Sequence, residues 1–389
     1  MPTRSDLIRP GSVSCCAVST CSPHAGWGSS YEILSLVALL NWPRILITGA
    51  AGFIGGWTAE ELCRAGATHV RAGVARTANV ARIAGLPVEI VHCDIMDPVS
   101  LDAAMAGIEI VIHCAHSRID ESTTVEGTRL VLKHAITNGV RRVVHMSSVA
   151  VYGNVLGIVA EDTSPVPPVN PYGQRKQAAE KACRSAAGPQ LTVAVLRPTL
   201  VYGPFGELWT TSYIKRILSG HLEQLGSAGE GNANLIYVQD LARFAAHLAV
   251  SQLPQYSVFN ANGAEIPTFN EYFDRLSRML GRGPLPVPTN SFTIQDALRR
   301  PIRRLGKYVL EHNQDMLKMA SRNPILRDVL RRAEANLRLK PSDGEIRYYG
   351  TRVIFSALRA REVGFEPTVS LEEGLTASVE WSRVIGLTG

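Results

Sequence analysis

The segment RILITGAAGFIGG, residues 44–56, constrains the fold of this 389-residue chain more than any other stretch. Residues 44–48 form a short apolar run that predicts a strand, and a helical pattern begins a few residues later. Gly49 permits a tight turn between the two elements, Gly52 allows a ligand to approach the backbone, and Gly55 lets the helix pack closely on the strand. The segment therefore predicts a strand, a glycine turn and a helix in direct succession.

The first turn of this helix is a predicted anion site. The backbone N–H groups at its start, including those of Phe53 and Ile54, have no partner within the helix, and the helix dipole adds positive potential there. A glycine turn between a strand and a helix is typical of pyrophosphate binding. We therefore predict a dinucleotide site, with an ordinary glycine turn as the alternative.

Strand and helix signals alternate along most of the remaining sequence. Further strands are predicted at residues 69–75, 88–92, 108–114, 142–147, 191–197 and 257–260, and helices at residues 99–106, 124–138 and 238–250. Such alternation indicates βαβ units with right-handed crossovers, and hence a doubly wound parallel sheet of the Rossmann type. Ligands of these α/β sheets bind beyond the carboxyl ends of the strands, so the residues that follow each strand are the candidate site residues.

The predicted sheet does not account for the whole chain. We assign residues 44–202 and 235–262 to an NAD(P)-binding Rossmann domain, and residues 203–234 and 263–389 to a smaller C-terminal substrate-binding lobe. Residues 1–43 show no periodicity and are predicted to be a disordered extension, or sequence translated from a misassigned start. A targeting or membrane-touching arm is the alternative.

Composition narrows the class of protein. Hydrophobic residues make up 46% of the chain, which suits a globular protein, and the apolar run at residues 33–40 is far shorter than the roughly 20 residues that span a bilayer. The seven cysteines are odd in number and scattered, and no His/Cys cluster has the spacing of metal ligands. We therefore expect no metal, no disulfide framework and a cytoplasmic location.

The lobe contains a strongly basic segment at residues 291–340. It holds twelve Lys and Arg residues against five Asp and Glu residues, a net charge of +7, whereas the whole chain carries +6. A solvated basic face on helices is the favoured interpretation, and peripheral contact with an anionic membrane surface or an acidic partner is the sharper alternative. Nucleic acid is not expected as a partner because no nucleic-acid-binding motif accompanies the charge.

A second motif, NPYGQRK, occupies residues 170–176. Asn170 is a good N-cap and Pro171 suits the first helical position, so a helix should begin here and place Tyr172 and Lys176 on one face. The Lys176 ammonium would favour the Tyr172 phenolate and so lower its pKa from the usual value of about 10. The pair is a candidate acid and base for a substrate oxygen, and Lys176 is also a candidate to hold the cofactor ribose.

The strand predicted at residues 142–147 runs into two serines, Ser147 and Ser148, at the ligand edge of the sheet. One of their hydroxyls is a candidate to hydrogen-bond the same substrate oxygen as Tyr172. A YxxxK spacing alone is common by chance. Its combination with a glycine turn and a strand-end serine indicates hydride transfer with a nicotinamide dinucleotide.

Five motifs in order carry a resemblance to a known family: TGAAGFIGG, HMSSVAVYG, PYGQRK, LRPTLVYGP and LIYVQDLA, within residues 44–285. The arrangement resembles the extended short-chain dehydrogenase/reductases, the NAD-dependent epimerase/dehydratase group. The resemblance implies a homodimer and a catalytic triad of Ser148, Tyr172 and Lys176. It also implies cofactor contacts at the ends of several strands, with Asp94 and Ile95 flanking the adenine, Ala115 lining the cofactor cleft and Pro198 beside the nicotinamide.

The sequence departs from the family pattern after the second strand, where an acid commonly binds the ribose 2′-OH of NAD. Residues 70–76 contain no acid, and Arg76 stands about where it would be. A 2′-phosphate would suit Arg76, so NADP(H) is the favoured cofactor and NAD(H) the alternative. A solvated Arg76 without a ligand is the other interpretation.

Further departures concern the substrate. Val149 and Ala150 follow the catalytic serine where family dehydratases have acids, which disfavours elimination of water. Leu200 and Ala233 stand where nucleotide-sugar enzymes of the family usually have asparagine and arginine, which makes a nucleotide sugar the less favoured substrate. His116 faces the same cleft, either as a polar substrate contact or as a buried, satisfied histidine. These last three residues are the candidate substrate positions.

The sequence therefore predicts an NAD(P)-dependent oxidoreductase that acts on a small-molecule ketone or secondary alcohol. A nucleotide-sugar epimerase is the first alternative, because the same triad can oxidise and re-reduce one carbon without releasing the cofactor. A noncatalytic dinucleotide-sensing or scaffold protein is the second alternative, and the intact triad argues against it.

Overall fold

The computed structural model describes residues 42–116, 121–167, 170–287 and 339–388. The predictions for residues 1–41, and for most of the basic segment 291–340, lie outside the described residues. Trp42 is within them and differs from the prediction, because it packs into the hydrophobic core instead of belonging to an extension. Its indole Nε1 donates to the carbonyl oxygen of Ala65 at 3.1 Å, which fixes the approach to the first strand.

Strands and helices alternate through the first two thirds of the chain. In chain order the strands are β1 (Ile45–Thr48), β2 (Val70–Val74), β3 (Glu89–His92), β4 (Ile110–His113), β5 (Arg142–Met146), β6 (Gly157–Val159), β7 (Thr192–Pro198), β8 (Leu200–Tyr202), β9 (Leu235–Tyr237), β10 (Tyr256–Ala261) and β11 (Val353–Phe355). The α-helices are α1 (Phe53–Arg64), α2 (Pro98–Met105), α3 (Glu121–Thr137), α4 (Pro171–Ala186), α5 (Ser212–Leu218), α6 (Val238–Val250), α7 (Phe269–Met279), α8 (Asp343–Tyr349), α9 (Leu358–Glu362) and α10 (Leu371–Val384).

Seven of these strands form the central sheet, in the order β3-β2-β1-β4-β5-β7-β10. All neighbouring strands in it are parallel. The order reverses direction at β1, as in a doubly wound sheet. The predicted Rossmann fold class is confirmed, and each of the seven predicted strands is present in this sheet.

The inner strands of the sheet are buried on both faces, whereas the edge strand β3 is mostly exposed. Alternate side chains of each strand point to opposite sides, so each face packs against its own cluster. In β1, Ile45 and Ile47 pack in the cluster that includes apolar residues of α1 and α6. Leu46 packs in the opposite cluster, with residues of α2, α3 and α4. The inner strands therefore appear in the sequence as mainly apolar runs, which explains why they could be predicted.

The lobe has a separate core that is rich in aromatic side chains of α5, α7 and α8, including Tyr213, Tyr272, Phe273 and Tyr349. One parallel pair, β6–β11, crosses the predicted domain boundary, whereas another, β8–β9, joins two strands that were both assigned to the Rossmann domain. β8 buries Leu200 in the lobe core, although the sequence assigned it to the Rossmann domain. A three-residue strand carries too little periodicity for its partner to be identified from sequence.

Helix starts follow the capping residues in the sequence. Asn170 caps α4, where its side-chain oxygen accepts a hydrogen bond from the backbone N–H of Gly173 at 2.8 Å. Pro171 occupies the first turn, as predicted.

Of the helices within the described residues, none combines the length and the apolar character that a membrane crossing requires.

Candidate active site

The glycine turn between β1 and α1 is closely packed against the neighbouring strand. Gly49 has φ +70°, and a Cβ added there would lie 2.7 Å from the Cα of Ala115, just beyond β4. A Cβ on Gly55 would collide with the carbonyl oxygen of Gly49. Both positions therefore require glycine, one for the left-handed backbone and the close approach of β4, the other for the contact between helix and turn.

The start of α1 suits an anionic group. Gly52 occupies the N-cap position, is exposed, and supplies no side chain to cap the helix. The first turn of α1, which includes Phe53 and Ile54, contains no acidic residue. Its N–H groups and dipole therefore offer positive potential to a pyrophosphate without competition from a carboxylate. The turn fits the dinucleotide that the sequence predicts.

The two serines that follow β5 lie in different environments. Ser147 is buried, and its hydroxyl donates to a carboxylate oxygen of Glu180. Ser148 is partly exposed, and its Oγ accepts a hydrogen bond from the N–H of Ala150 at 3.2 Å. Of the two, Ser148 has the hydroxyl that a substrate can reach.

Helix α4 carries the tyrosine and the lysine of the second motif. Tyr172 lies in its first turn with 40% of its surface exposed, whereas Lys176, one turn later, is only 5% exposed. Burial lowers the pKa of Lys176 to about 8, although the nearby Cys114 and Glu180 partly oppose this effect. At neutral pH the side chain is therefore still mainly an ammonium.

Two hydrogen bonds hold α4 against the end of β5 on either side of Ser148. The Nζ of Lys176 donates to the carbonyl oxygen of Met146 at 2.7 Å, and Nε2 of Gln177 donates to the carbonyl oxygen of Val151 at 2.8 Å. Ser148 lies between these two anchor points in the chain. The structure thus brings the Ser148 segment and α4 together.

A buried polar network that the sequence analysis missed lies next to these residues. Arg197 of β7 makes two hydrogen bonds to the Glu180 carboxylate, at 2.9 and 2.6 Å, and a third to the hydroxyl of Tyr152 at 2.8 Å. The Tyr152 hydroxyl in turn donates to the side-chain oxygen of Asn260 in β10 at 2.8 Å. The position of Glu180, one turn after Lys176 on α4, was the only local sequence signal for this network.

Two buried histidines occupy neighbouring strands near Lys176. His113 of β4 lies within hydrogen-bond distance of the hydroxyls of Thr48 and Thr128, at 2.7 and 3.2 Å. His145 of β5 is in register with it, and neither of its ring nitrogens has a hydrogen-bond partner among the described residues. Burial lowers the pKa of His113 to about 3 and that of His145 well below its usual value, so both are neutral at pH 7.

The other predicted cofactor residues also follow strands at this edge of the sheet. Asp94 and Ile95 come after β3, where the Asp94 carboxylate accepts the N–H of Met96 at 2.9 Å and Ile95 is buried. Ala115 follows β4 closely, and Pro198 is the last residue of β7. Because all these strands are parallel, their carboxyl ends lie along one edge.

Arg76 and the candidate substrate positions are placed differently. Arg76 is exposed two residues beyond β2, and His116 is exposed, which removes the interpretation of His116 as a buried, satisfied histidine. Ala233 has no exposed surface and Leu200 has 9%, because both pack in the lobe core. Their side chains therefore contribute packing, and the expectation that they line a substrate site is corrected.

Within the described residues, no group of three or more His, Cys, Asp or Glu side chains is placed to hold a metal ion.

A doubly wound sheet with an open glycine turn, beside a helix that presents a tyrosine and a buried lysine, defines a dinucleotide-dependent Rossmann enzyme. Comparison with known sequences gives the family. The profile of the NAD-dependent epimerase/dehydratase family matches residues 45–261, more than half of the chain. The chain belongs to this family.

Curated relatives of the chain include both epimerases and reductases. An N-acetyl-alpha-D-glucosaminyl-diphospho-ditrans,octacis-undecaprenol 4-epimerase of Escherichia coli O157:H7 is 31% identical over 178 residues, which are 43% of this chain and 53% of that protein. This chain thus spans about half the length of that relative. Cinnamoyl-CoA reductase 1 of Oryza sativa subsp. japonica is 32% identical over 242 residues, 54% of this chain and 68% of the reductase.

Solved structures show the same fold. A UDP-glucose 4-epimerase of Thermotoga maritima, determined with UDP-glucose, is 23% identical with a TM-score of 0.64, and the match covers 88% of this chain and 99% of that one. A dTDP-glucose 4,6-dehydratase of Streptomyces venezuelae, determined with NAD bound, is 24% identical with a TM-score of 0.64, covering 87% and 97% of the two chains.

Proposed function

We propose that this protein is an NAD(P)-dependent oxidoreductase that transfers hydride at the carbon of a ketone or secondary alcohol. The observation that supports it most is the position of α4, which is anchored to the main chain on both sides of Ser148 and carries Tyr172 and Lys176 one turn apart. An exposed phenol, a nearby hydroxyl and a buried ammonium are the groups that such a reaction needs.

Each of the three residues has a distinct role in the proposed reaction. The Ser148 hydroxyl donates a hydrogen bond to the substrate oxygen and orients it. Tyr172 gives its proton to that oxygen during reduction and takes it back during oxidation. The Lys176 ammonium stabilises the phenolate left on Tyr172. A bound nicotinamide dinucleotide supplies or accepts the hydride at the carbon.

We further propose that NADP(H) is preferred over NAD(H). Arg76 supports this, because it is exposed at the end of β2, and neither β2 nor the two residues after it supply an acid for a ribose 2′-OH. A relative of known structure was determined with NAD bound. The preference of this chain for NADP(H) over NAD(H) therefore needs a direct test.

The test is to denature the purified protein, identify any nucleotide released, and titrate the emptied protein with NADPH and NADH. We expect no tightly retained nucleotide and tighter binding of NADPH. Arg76→Ala should weaken NADPH binding by roughly tenfold to a hundredfold, since it removes charge-assisted hydrogen bonds, and should leave NADH binding unchanged. Arg184→Ala, at the exposed far end of α4, is the matched control.

A nucleotide-sugar epimerase is the second candidate. The names of the Escherichia coli and Thermotoga maritima relatives support it, whereas the apolar packing of Leu200 and Ala233 does not. An epimerase of this kind keeps its cofactor between the two halves of its reaction. Release of stoichiometric NAD(H) on denaturation would therefore favour the epimerase over the reductase and would contradict the NADP(H) preference.

A further inference from the structure

Arg82 lies beside the glycine turn, although no sequence motif pointed to it. It ends the short 3-10 turn after β2, and its side chain is only 9% exposed. Its Nη1 donates to the carbonyl oxygen of Phe53 at 2.9 Å, and Nη2 and Nε donate to the carboxylate of Glu60 at 3.1 and 3.3 Å. The guanidinium also fills the space beside Gly56, where a Cβ would lie 2.8 Å from its Cζ. Arg82 therefore braces the first two turns of α1.

The same guanidinium contacts the loop at residues 203–206, which follows β8. Its Cζ lies 4.1 Å from the ring centroid of Phe205, within the range of a cation–π interaction. The Phe205 ring also packs on Trp381 of α10, at a centroid distance of 5.2 Å. Phe205 thus contacts both Arg82 and the lobe helix while remaining 45% exposed.

The backbone at Phe205 has an unusual conformation. Its φ is +68°, and it is the one non-glycine residue with positive φ in the described part of the chain. For a bulky residue this conformation is unfavourable, and it persists only where the surroundings hold it. The ring contacts with Arg82 and Trp381 are part of these surroundings, together with the turn that the N–H of Gly206 closes on the carbonyl oxygen of Gly203 at 3.0 Å.

Two further contacts attach the 203–206 loop to α1. The indole Nε1 of Trp57 donates to the carbonyl oxygen of Pro204 at 3.0 Å. A Cβ on Gly206 would lie 3.0 Å from the ring of Phe53, in the first turn of α1. The loop therefore borders the same helix start at which the pyrophosphate of a dinucleotide would lie.

We propose that Arg82 is a positioning residue that fastens the glycine turn to the 203–206 loop through Phe205, and that this contact limits the rate at which the dinucleotide leaves. The proposal rests on the proposed function, because it requires dinucleotide binding at the turn. It gives the loop a role in cofactor exchange, which is the step that separates a reductase from an epimerase.

The test is a stopped-flow measurement of NADPH and NADH release from the full-length protein. Arg82→Lys, Phe205→Leu and Phe205→Ala should each release the bound nucleotide roughly tenfold faster than the wild type, because each removes the guanidinium–ring contact. Phe205→Tyr keeps a ring and should release at the wild-type rate. The double variant Arg82→Lys/Phe205→Ala should be no faster than the faster single variant, because both residues act through one contact.

Arg184→Lys is the matched control, since Arg184 also lies over a ring, that of Tyr256 at 4.9 Å, but on the far end of α4. Release rates of Arg82→Lys and Phe205→Leu within about twofold of the wild type would overturn the inference, as would additive effects in the double variant. If the wild type binds neither nucleotide, the proposed function and the inference both fail. If it binds and the variants release at the wild-type rate, only the inference fails.

Discussion

At the scale of single residues, the two serines after β5 show how environment assigns a role. Ser147 and Ser148 are chemically identical, but the Ser147 hydroxyl is buried and donates a hydrogen bond to Glu180. Ser148 keeps partial exposure in the segment that α4 contacts through Lys176 and Gln177. We therefore propose Ser148 for the substrate and regard Ser147 as part of the support for α4.

Of the residues that support α4, Glu180 is the one whose substitution should lower the free energy of unfolding most. Glu180→Gln removes the charge that compensates buried Arg197, and breaking such a pair costs about 3–5 kcal/mol of the free energy of unfolding. Glu126→Gln is the control, because Glu126 pairs with Arg129 at 3.4 Å on the surface. It should cost less than about 1 kcal/mol. Urea unfolding of both variants gives the comparison, and equal losses would contradict the assigned importance of the network.

At the scale of elements, the junction of β1 and α1 is the part of the fold that tolerates substitution least. Gly55→Ala places a Cβ against the carbonyl oxygen of Gly49, so α1 must shift away from the turn. We expect a loss of about 1–3 kcal/mol in the free energy of unfolding, as for other overpacked sites, and clearly weaker NADPH binding. Gly85→Ala is the control, since no atom lies within 4 Å of its added Cβ. Unchanged NADPH binding by Gly55→Ala would show that the turn is not the cofactor site.

Elements with a strong local pattern were predictable from sequence. The inner strands of the central sheet are mainly apolar and buried, and helix α6 spans the predicted range 238–250. The short strands β6 and β8 were not predicted, because their partners β11 and β9 lie far along the chain. Pairing across such distances leaves no local signal.

The residues of the candidate site also divide into those with a local sequence signal and those whose partners lie in distant segments. The residues of the glycine turn and the YxxxK pair belong to compact motifs, which made them visible in the sequence. Arg82 and Arg197 were missed because their partners, Phe205 and Tyr152, come from other segments. The substrate interpretation of Ala233 was wrong because burial in the lobe core depends on how distant elements pack.

At the scale of the whole molecule, the neutral histidines between β4 and β5 link stability to pH. Their ring centroids are 5.2 Å apart, and burial lowers the pKa of both, with Lys176 adding to the effect. Between about pH 6.5 and their lowered pKa values, such histidines bind protons only in the unfolded chain. They therefore contribute no pH dependence above about 6.5 and favour unfolding increasingly as the pH falls below it.

Replacing His145 tests this linkage. His145→Leu removes a buried imidazole that has no hydrogen-bond partner among the described residues. The free energy of unfolding of the variant, relative to the wild type, should rise as the pH falls below about 6.5, by up to about 1.4 kcal/mol per pH unit. Above that pH the difference should be constant. Urea unfolding across the pH range gives the measurement, and a difference that does not change with pH would contradict the neutral, buried state of His145.

The fold as a whole can support either net reduction or epimerisation, and both require the same proton transfer by Tyr172. The most direct measurement is therefore the turnover of wild-type and Tyr172→Phe protein with ketone and nucleotide-sugar substrates, together with their dinucleotide affinities. We expect Tyr172→Phe to lose at least about a hundredfold in kcat, because it lacks the acid and base, and to bind the dinucleotide as the wild type does. Wild-type turnover by Tyr172→Phe would show that Tyr172 does not transfer the proton.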